Sequence, residues 1–161
     1  MLQNFRIEIK WAIIYTIAYT LWMYFESKMG WHDSKVLLEP LYNLLFLPIS
    51  IFLIGLALFD KKRNHYKNEM DWKKGFTSGI ILSVLITVLN PVALYITHHY
   101  ISPGFFDNAI NASVAEGLSL EKATARYNLN TAISNSVFDR LSFGVVISAT
   151  ISYFIRTKNN S

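Results

Sequence analysis

An all-α, polytopic bundle of four transmembrane helices is the fold class this sequence predicts, on three observations. Apolar residues make up 52% of the 161 positions and charged residues only 16%, and the apolar ones are clumped rather than spread at soluble-helix spacing. Four such runs occur, and at ~1.5 Å per residue each covers, or nearly covers, a hydrocarbon core of about 30 Å. Lysine and arginine gather in alternate polar segments, the asymmetry that orients membrane helices. The spans must be helices, because an open strand in lipid leaves its backbone groups unpaired. A chain of this length holds one domain, so residues 1–161 read as a single membrane domain.

The first span is expected over 11–27, after an amphipathic approach from Phe5 to Lys10. It lacks a small-x-small cleavage site and continues into Trp22, Tyr24 and Phe25, so it reads as a retained anchor. The second span, 36–59, is interrupted by Pro40 and Pro48. The third, 75–101, contains Asn90-Pro91 and ends at Pro103-Gly104. The fourth, 131–155, starts polar and becomes the uncharged stretch Leu141 to Ile155.

Between the last two spans, Phe105, Phe106, Ile110, Val114 and Leu118 recur at spacings near four, with Asp107 placed to cap. Ser119 is the expected N-cap of a shorter stretch to Tyr127. Residues 105–127 therefore predict amphipathic helix lying on the extracytoplasmic membrane surface. Arg6 and Lys10, then Lys61, Lys62, Arg63, Lys67, Lys73 and Lys74, then Arg156 and Lys158 fall on one side of four crossings, which puts both termini in the cytoplasm. Lys28, Lys35, Lys122 and Arg126 are the basic residues of the other side.

Composition excludes several chemistries. There is no cysteine, hence no disulfide, thiolate nucleophile or Cys-ligated metal. The net charge of +4 reports topology, and no nucleic-acid-binding motif accompanies it. His98-His99 are helix neighbours whose side chains diverge, and no HxxxH or HExxH spacing exists, so no metal site is expected. No P-loop, dinucleotide turn or hydrolase arrangement is present, and neither a catalytic residue nor a cofactor is assigned. The basic loop Asp60 to Lys74 is a topology determinant that also offers a surface to anionic lipid.

Two patterns inside the spans carry more information. Gly75, Gly79, Ser83 and Thr87 stand four apart on the third span, and Ser136, Arg140, Gly144, Ser148 and Ser152 stand four apart on the fourth. Small residues at that spacing let helices approach closely. Packing of the third span on the fourth is the simpler meaning; a face for a protein partner or a homo-oligomer is the other.

The second pattern is polar. Counted at ~1.5 Å per residue, Asp139 and Arg140 lie about 24–26 Å from the cytoplasmic boundary, Asn90 about 22 Å, Asn43 about 26 Å and Glu26 about 24 Å. Glu39, Asn135, His98 and His99 sit slightly further out. A charge at mid-membrane costs about 2.5–3.5 kcal/mol, so these groups are expected to face inward and find partners. Glu26 or Glu39 is the expected partner of Arg140. Asn90, Asn43 or a tyrosine hydroxyl is that of Asp139. The layer is either a buried network fixing helix register or a pocket for an ion, a proton or a lipid headgroup.

Three segments resemble domain-of-unknown-function family 4199. They are Trp72-Lys73-Lys74-Gly75-Phe76 leading into a Gly/Ser helix, Tyr95 with Tyr100-Ile101-Ser102-Pro103 before an aromatic and acidic outer helix, and Phe143-Gly144-Val145-Val146-Ile147-Ser148 running to a basic tail. The resemblance covers essentially the whole chain. It implies a small four-span protein of the kind found mainly in Bacteroidota, hence a bacterial inner-membrane location, and supplies no catalytic residues.

With thin loops and long helix faces, the first functional expectation is a non-enzymatic accessory subunit or modulator of a membrane system. The second is a small transporter, channel or lipid-binding protein built around Asp139 and Arg140.

Overall fold

The computed structural model describes residues 2–157. Lys158, counted above in the basic tail, lies outside the described residues. After a 3-10 turn at Leu2–Phe5, the chain forms α1 (Arg6–Lys28), α2 (Val36–Asn64), α3 (Trp72–Ile101), α4 (Phe105–Ala115), α5 (Leu120–Arg126) and α6 (Leu129–Ile155). No strand occurs among the described residues.

Helices α2, α3 and α6 are each long and apolar enough to cross a membrane, and the chain is a helical membrane protein on that ground. They correspond to three of the four expected spans. Helix α1 occupies the fourth, 11–27, but is not among the helices apolar enough to cross. Tyr15, Thr16, Tyr19, Thr20, Trp22 and Tyr24 dilute it. Its buried face (Glu8, Ala12, Tyr15, Tyr19, Met23 and Glu26) includes two of those tyrosines and two glutamates.

Helix α3 is the centre of the bundle, packed most extensively on α6 and next on α1. Helix α2 bridges α1 and α6, which stand on the bundle's diagonal. One end is tied by cations. Lys61, 3% exposed, meets the equally buried Glu8 at 3.0 Å and donates to the Asn4 carbonyl at 2.5 Å. Asp60 pairs with Lys10 and accepts from Trp11 Nε1 at 2.7 Å. Lys62 donates to the Ile155 carbonyl at 2.6 Å, a cation placed on the carbonyl end of α6 where the helix dipole favours it. This is the basic end. At the opposite, loop end, Ser27 donates to the Ile101 carbonyl, and Asn108 of α4 donates to His32 O and Asp33 Oδ1 at 3.2 and 3.0 Å.

The α3–α6 contact is a zipper of small residues. A Cβ built on Gly75 would lie 2.9 Å from Ser152 Oγ; one on Gly79 would overlap Ser148, and one on Gly144 would overlap Ser83. The helices are antiparallel, so these pairs step together by four residues along each. With lipid tails as apolar as leucine, such close approach holds helices by dispersion rather than by a hydrophobic difference. Both predicted small-residue stripes are thus spent on each other, inside one chain.

Local sequence sets the remaining bounds. Asp71, Ser119 and Asn128 accept from the backbone N–H three residues on, capping α3, α5 and α6. Asp107 sits in the first turn of α4 but not at its cap, which is Gly104. Gly117, at φ +95°, ends α4 with its N–H on Val114 O and that of Leu118 on Ser113 O. Helix α2 is irregular in its first half, turning 3-10 at Val36–Leu38 and Leu44–Phe46. Pro48 has no N–H to offer the Leu44 carbonyl, which accounts for the second of these. Helix α3 stays helical past Pro91 to Ile96 and then widens into a π turn at Thr97–Ile101.

The zipper makes a paired expectation. Gly79→Ala should lower the midpoint of thermal unfolding in detergent by the equivalent of about 1–3 kcal/mol, the usual cost of overpacking. Gly55→Ala, whose Cβ would meet only Ile151 at 3.6 Å, should leave it nearly unchanged. Equal effects would contradict the zipper.

Candidate binding cavity

The zipper runs Gly75–Ser152, Gly79–Ser148, Ser83–Gly144. One further step of four along each helix reaches Thr87 and Arg140, where a small residue is replaced by the longest side chain available. A cavity of about 370 Å³ begins at that level, with Ser83 and Gly144 in its lining. Its lining residues that are exposed are Pro40 and Leu44 on α2 and Asn135, Asp139 and Phe143 on α6. Its mouth is therefore the seam between those two helices. Toward the basic end the seam is shut, with Ile151 against Gly55 and Lys62 on the α6 terminus. Toward the loop end the proline-distorted half of α2 lies along the opening. Met23, Phe46, Leu47, Ile54, Ile86 and Ile147 supply an apolar interior.

Arg140 reaches across the diagonal to α1. Its guanidinium carbon lies 4.0 Å from the Tyr19 ring centre, 5.7 Å from that of Tyr15 and 6.0 Å from that of Phe46. Nη1 donates to the Tyr15 hydroxyl at 3.0 Å, and that oxygen is 2.6 Å from Ser50 Oγ. Phe46 stands edge-on to both tyrosine rings, at 5.6 and 5.3 Å, and fixes them. The guanidinium thus sits in an aromatic cage, and its buried Nε has no hydrogen-bond partner.

Neither expected carboxylate pairs with Arg140; among the described residues no ion pair reaches it. Glu26, fully buried, is occupied elsewhere: Trp22 Nε1 donates to it at 2.5 Å and His32 Nε2 lies 3.3 Å away. Glu39 is bonded by Asn43 on its own helix at 3.1 Å. What reaches the guanidinium instead is the pair of rings four residues apart on the facing side of α1.

The expected polar layer therefore divides. Glu39, Asn43, Asp139 and Arg140 line the cavity; Glu26 and Asn90 do not. Asn43 links the parts, its Nδ2 lying 3.1 Å from Glu39 and 3.3 Å from the Tyr19 hydroxyl. Asp139 finds none of its expected partners. It is exposed at the mouth, about 100° around the helix from its neighbour Arg140, and its side chain makes no hydrogen bond among the described residues. Asn90 is buried on α3 with its Nδ2 unpartnered. His98 lines the cavity against Phe105 and Phe106, while His99 is exposed and stacks on Tyr95.

Glu26 belongs to a second chain of contacts, in which His32 Nδ1 lies 2.7 Å from Ser102 Oγ, which donates to Ser27 at 2.9 Å. The order of groups is that of a hydrolase triad. All three side chains are buried outside the cavity lining, and their place is to lock the α1–α2 loop onto the end of α3. No cluster of three or more ligating side chains that could hold a metal occurs among the described residues. Sequence reasoning missed the cage tyrosines, whose i, i+4 spacing on the buried face of α1 is the one local signal they carry; His32 and Ser102, 70 residues apart, carried none.

Cation–ring contact in a desolvated setting contributes about 1–2 kcal/mol. A double-mutant cycle of Tyr19→Leu with Arg140→Met should recover a coupling of that size in unfolding free energy. Additive effects would remove the cage as the reason Arg140 is held.

Comparison with known proteins adds one match. The family model described as "Protein of unknown function (DUF4199)" covers residues 10–157. No curated protein and no solved structure matches the chain. With nearly its whole length covered, the chain belongs to the DUF4199 family.

Proposed function

We propose that this is a four-pass protein of the bacterial inner membrane, with both termini in the cytoplasm, that takes up a small amphiphilic ligand through the α2–α6 seam in the outer half of the bilayer. The reading is non-enzymatic binding or passage. Arg140 carries it: a cation inside a laterally open cavity, held by aromatic faces and one phenol, with no carboxylate to neutralise it. A structural arginine inside a span is expected to be paired, since an unpaired charge there is costly even short of the bilayer centre.

The topology is supported by Arg6, Lys10, Lys61, Lys62, Arg63, Lys67, Lys73, Lys74 and Arg156 lying toward one end. Four passes are supported by α1, whose start meets the end of α2 at Glu8 and Lys61 and whose end meets the end of α3 at Ser27 and Ile101. At 23 residues it is about 35 Å long, enough to accompany α3 across. The accessory-subunit reading drew on helix faces open to a partner. Its best ones, the small-residue stripes, are occupied within the chain, so support moves to the cavity.

Native mass spectrometry after extraction in mild detergent tests this. The wild type should retain a bound amphiphile, and Ser136→Trp, which fills the cavity, should lose it at an unchanged unfolding midpoint. A wild type that carries nothing would defeat the proposal.

A further inference from the structure

The cavity holds charges of both signs that do not meet. Arg140 lies on the α1 side in its aromatic cage. Glu39 on α2 and Asp139 on α6 line the same space, and among the described residues neither is ion-paired with Arg140 or with any other cation. In a low-dielectric setting such charges would gain by pairing directly, and the fold keeps them apart.

Each simple ligand class leaves a mismatch. A purely anionic headgroup satisfies Arg140 but meets two carboxylates. A cation satisfies those and meets the guanidinium. An uncharged group leaves all three without a counter-ion.

We infer that the ligand's polar end is zwitterionic, with acid oxygens for Arg140 and an ammonium for the Glu39–Asp139 side. This rests on the reading of the cavity as an amphiphile site. Arginine recognises phosphate through paired N–H donors, and only Nη1 of this guanidinium has a hydrogen-bond partner among the described residues. A phosphate and an ammonium joined by a short linker, as in phosphoethanolamine, present both charges in one headgroup.

Size and shape point to a lipid rather than a free zwitterion. At about 30 Å³ per non-hydrogen atom, taking water's share of liquid volume, the space holds roughly a dozen atoms. That is a headgroup with its glycerol, not a whole diacyl lipid. The chains then leave through the mouth between the exposed Leu44 and Phe143, both apolar and both facing the bilayer in this topology.

The test is competitive binding to delipidated protein, read by native mass spectrometry. The probes are phosphatidylethanolamine, phosphatidylglycerol and diacylglycerol with the same chains, and water-soluble glycerophosphoethanolamine. The wild type should prefer phosphatidylethanolamine over both other lipids by about tenfold, a difference of 1.4 kcal/mol. Asp139→Asn alters an exposed side chain with no hydrogen bond to lose, so it should fold as the wild type does. It should lose the preference over phosphatidylglycerol; Arg140→Gln should lose the preference over diacylglycerol.

Equal or tighter binding of phosphatidylglycerol by the wild type would overturn the zwitterion. So would an Asp139→Asn protein with its preference intact. Glycerophosphoethanolamine binding as tightly as the lipid would overturn the amphiphile. Binding that ignores the headgroup yet vanishes in Ser136→Trp would defeat this inference and leave the cavity reading standing; no binding of any lipid would defeat both.

Discussion

Helices that approach through glycine and serine must part where the next position in register is large. In this protein that position is Arg140, one step beyond Ser83–Gly144 on the α3–α6 zipper. Everything distinctive about the bundle follows from placing a long cationic side chain at the end of a small-residue stripe. A cavity begins at that level, and the arginine side chain turns across it toward α1. The prolines of α2 complete the arrangement by distorting the half of that helix that lies along the opening.

The two ends of the bundle treat buried cations differently. Lys61 is neutralised by Glu8 and hydrogen-bonded by a carbonyl, and removing one member of such a pair costs about 3–5 kcal/mol because the other is left uncompensated. Arg140 receives only ring faces and a phenol. Guanidinium is planar, delocalised and more weakly hydrated than an ammonium, which suits it to stacking on aromatic faces. The contrast separates a cation that fastens helices together from one whose free donor edge remains for something else.

Much of the helical framework is written in the sequence as runs, caps and spacing. The apolar runs mark α2, α3 and α6, and period-four glycines and serines mark the zipper, since both depend on local composition along one helix. Asn128 and Ser119 are readable as caps for the same reason. The partner of Arg140 was not legible, because electrostatic reasoning looks for a carboxylate and the actual contact is with tyrosine rings more than a hundred residues earlier. The Glu26–His32–Ser102 chain was hidden likewise, being assembled by a loop folding back onto a distant helix end. Depth counting grouped Asn90 and Glu26 with Arg140, but depth says nothing about azimuth, and neither lines the cavity; the guanidinium meets α1 at Tyr15 and Tyr19, seven or more residues before Glu26.

The central claim is that an arginine uncompensated by protein carboxylate faces a laterally open cavity. A high-resolution structure of the protein in lipid nanodiscs tests it most directly. The account expects the Arg140 guanidinium over the Tyr19 ring, an open α2–α6 seam, and non-protein density within hydrogen-bond reach of the guanidinium. An Arg140 side chain in bidentate contact with Glu39 or Asp139, with the seam closed over it, would contradict the account.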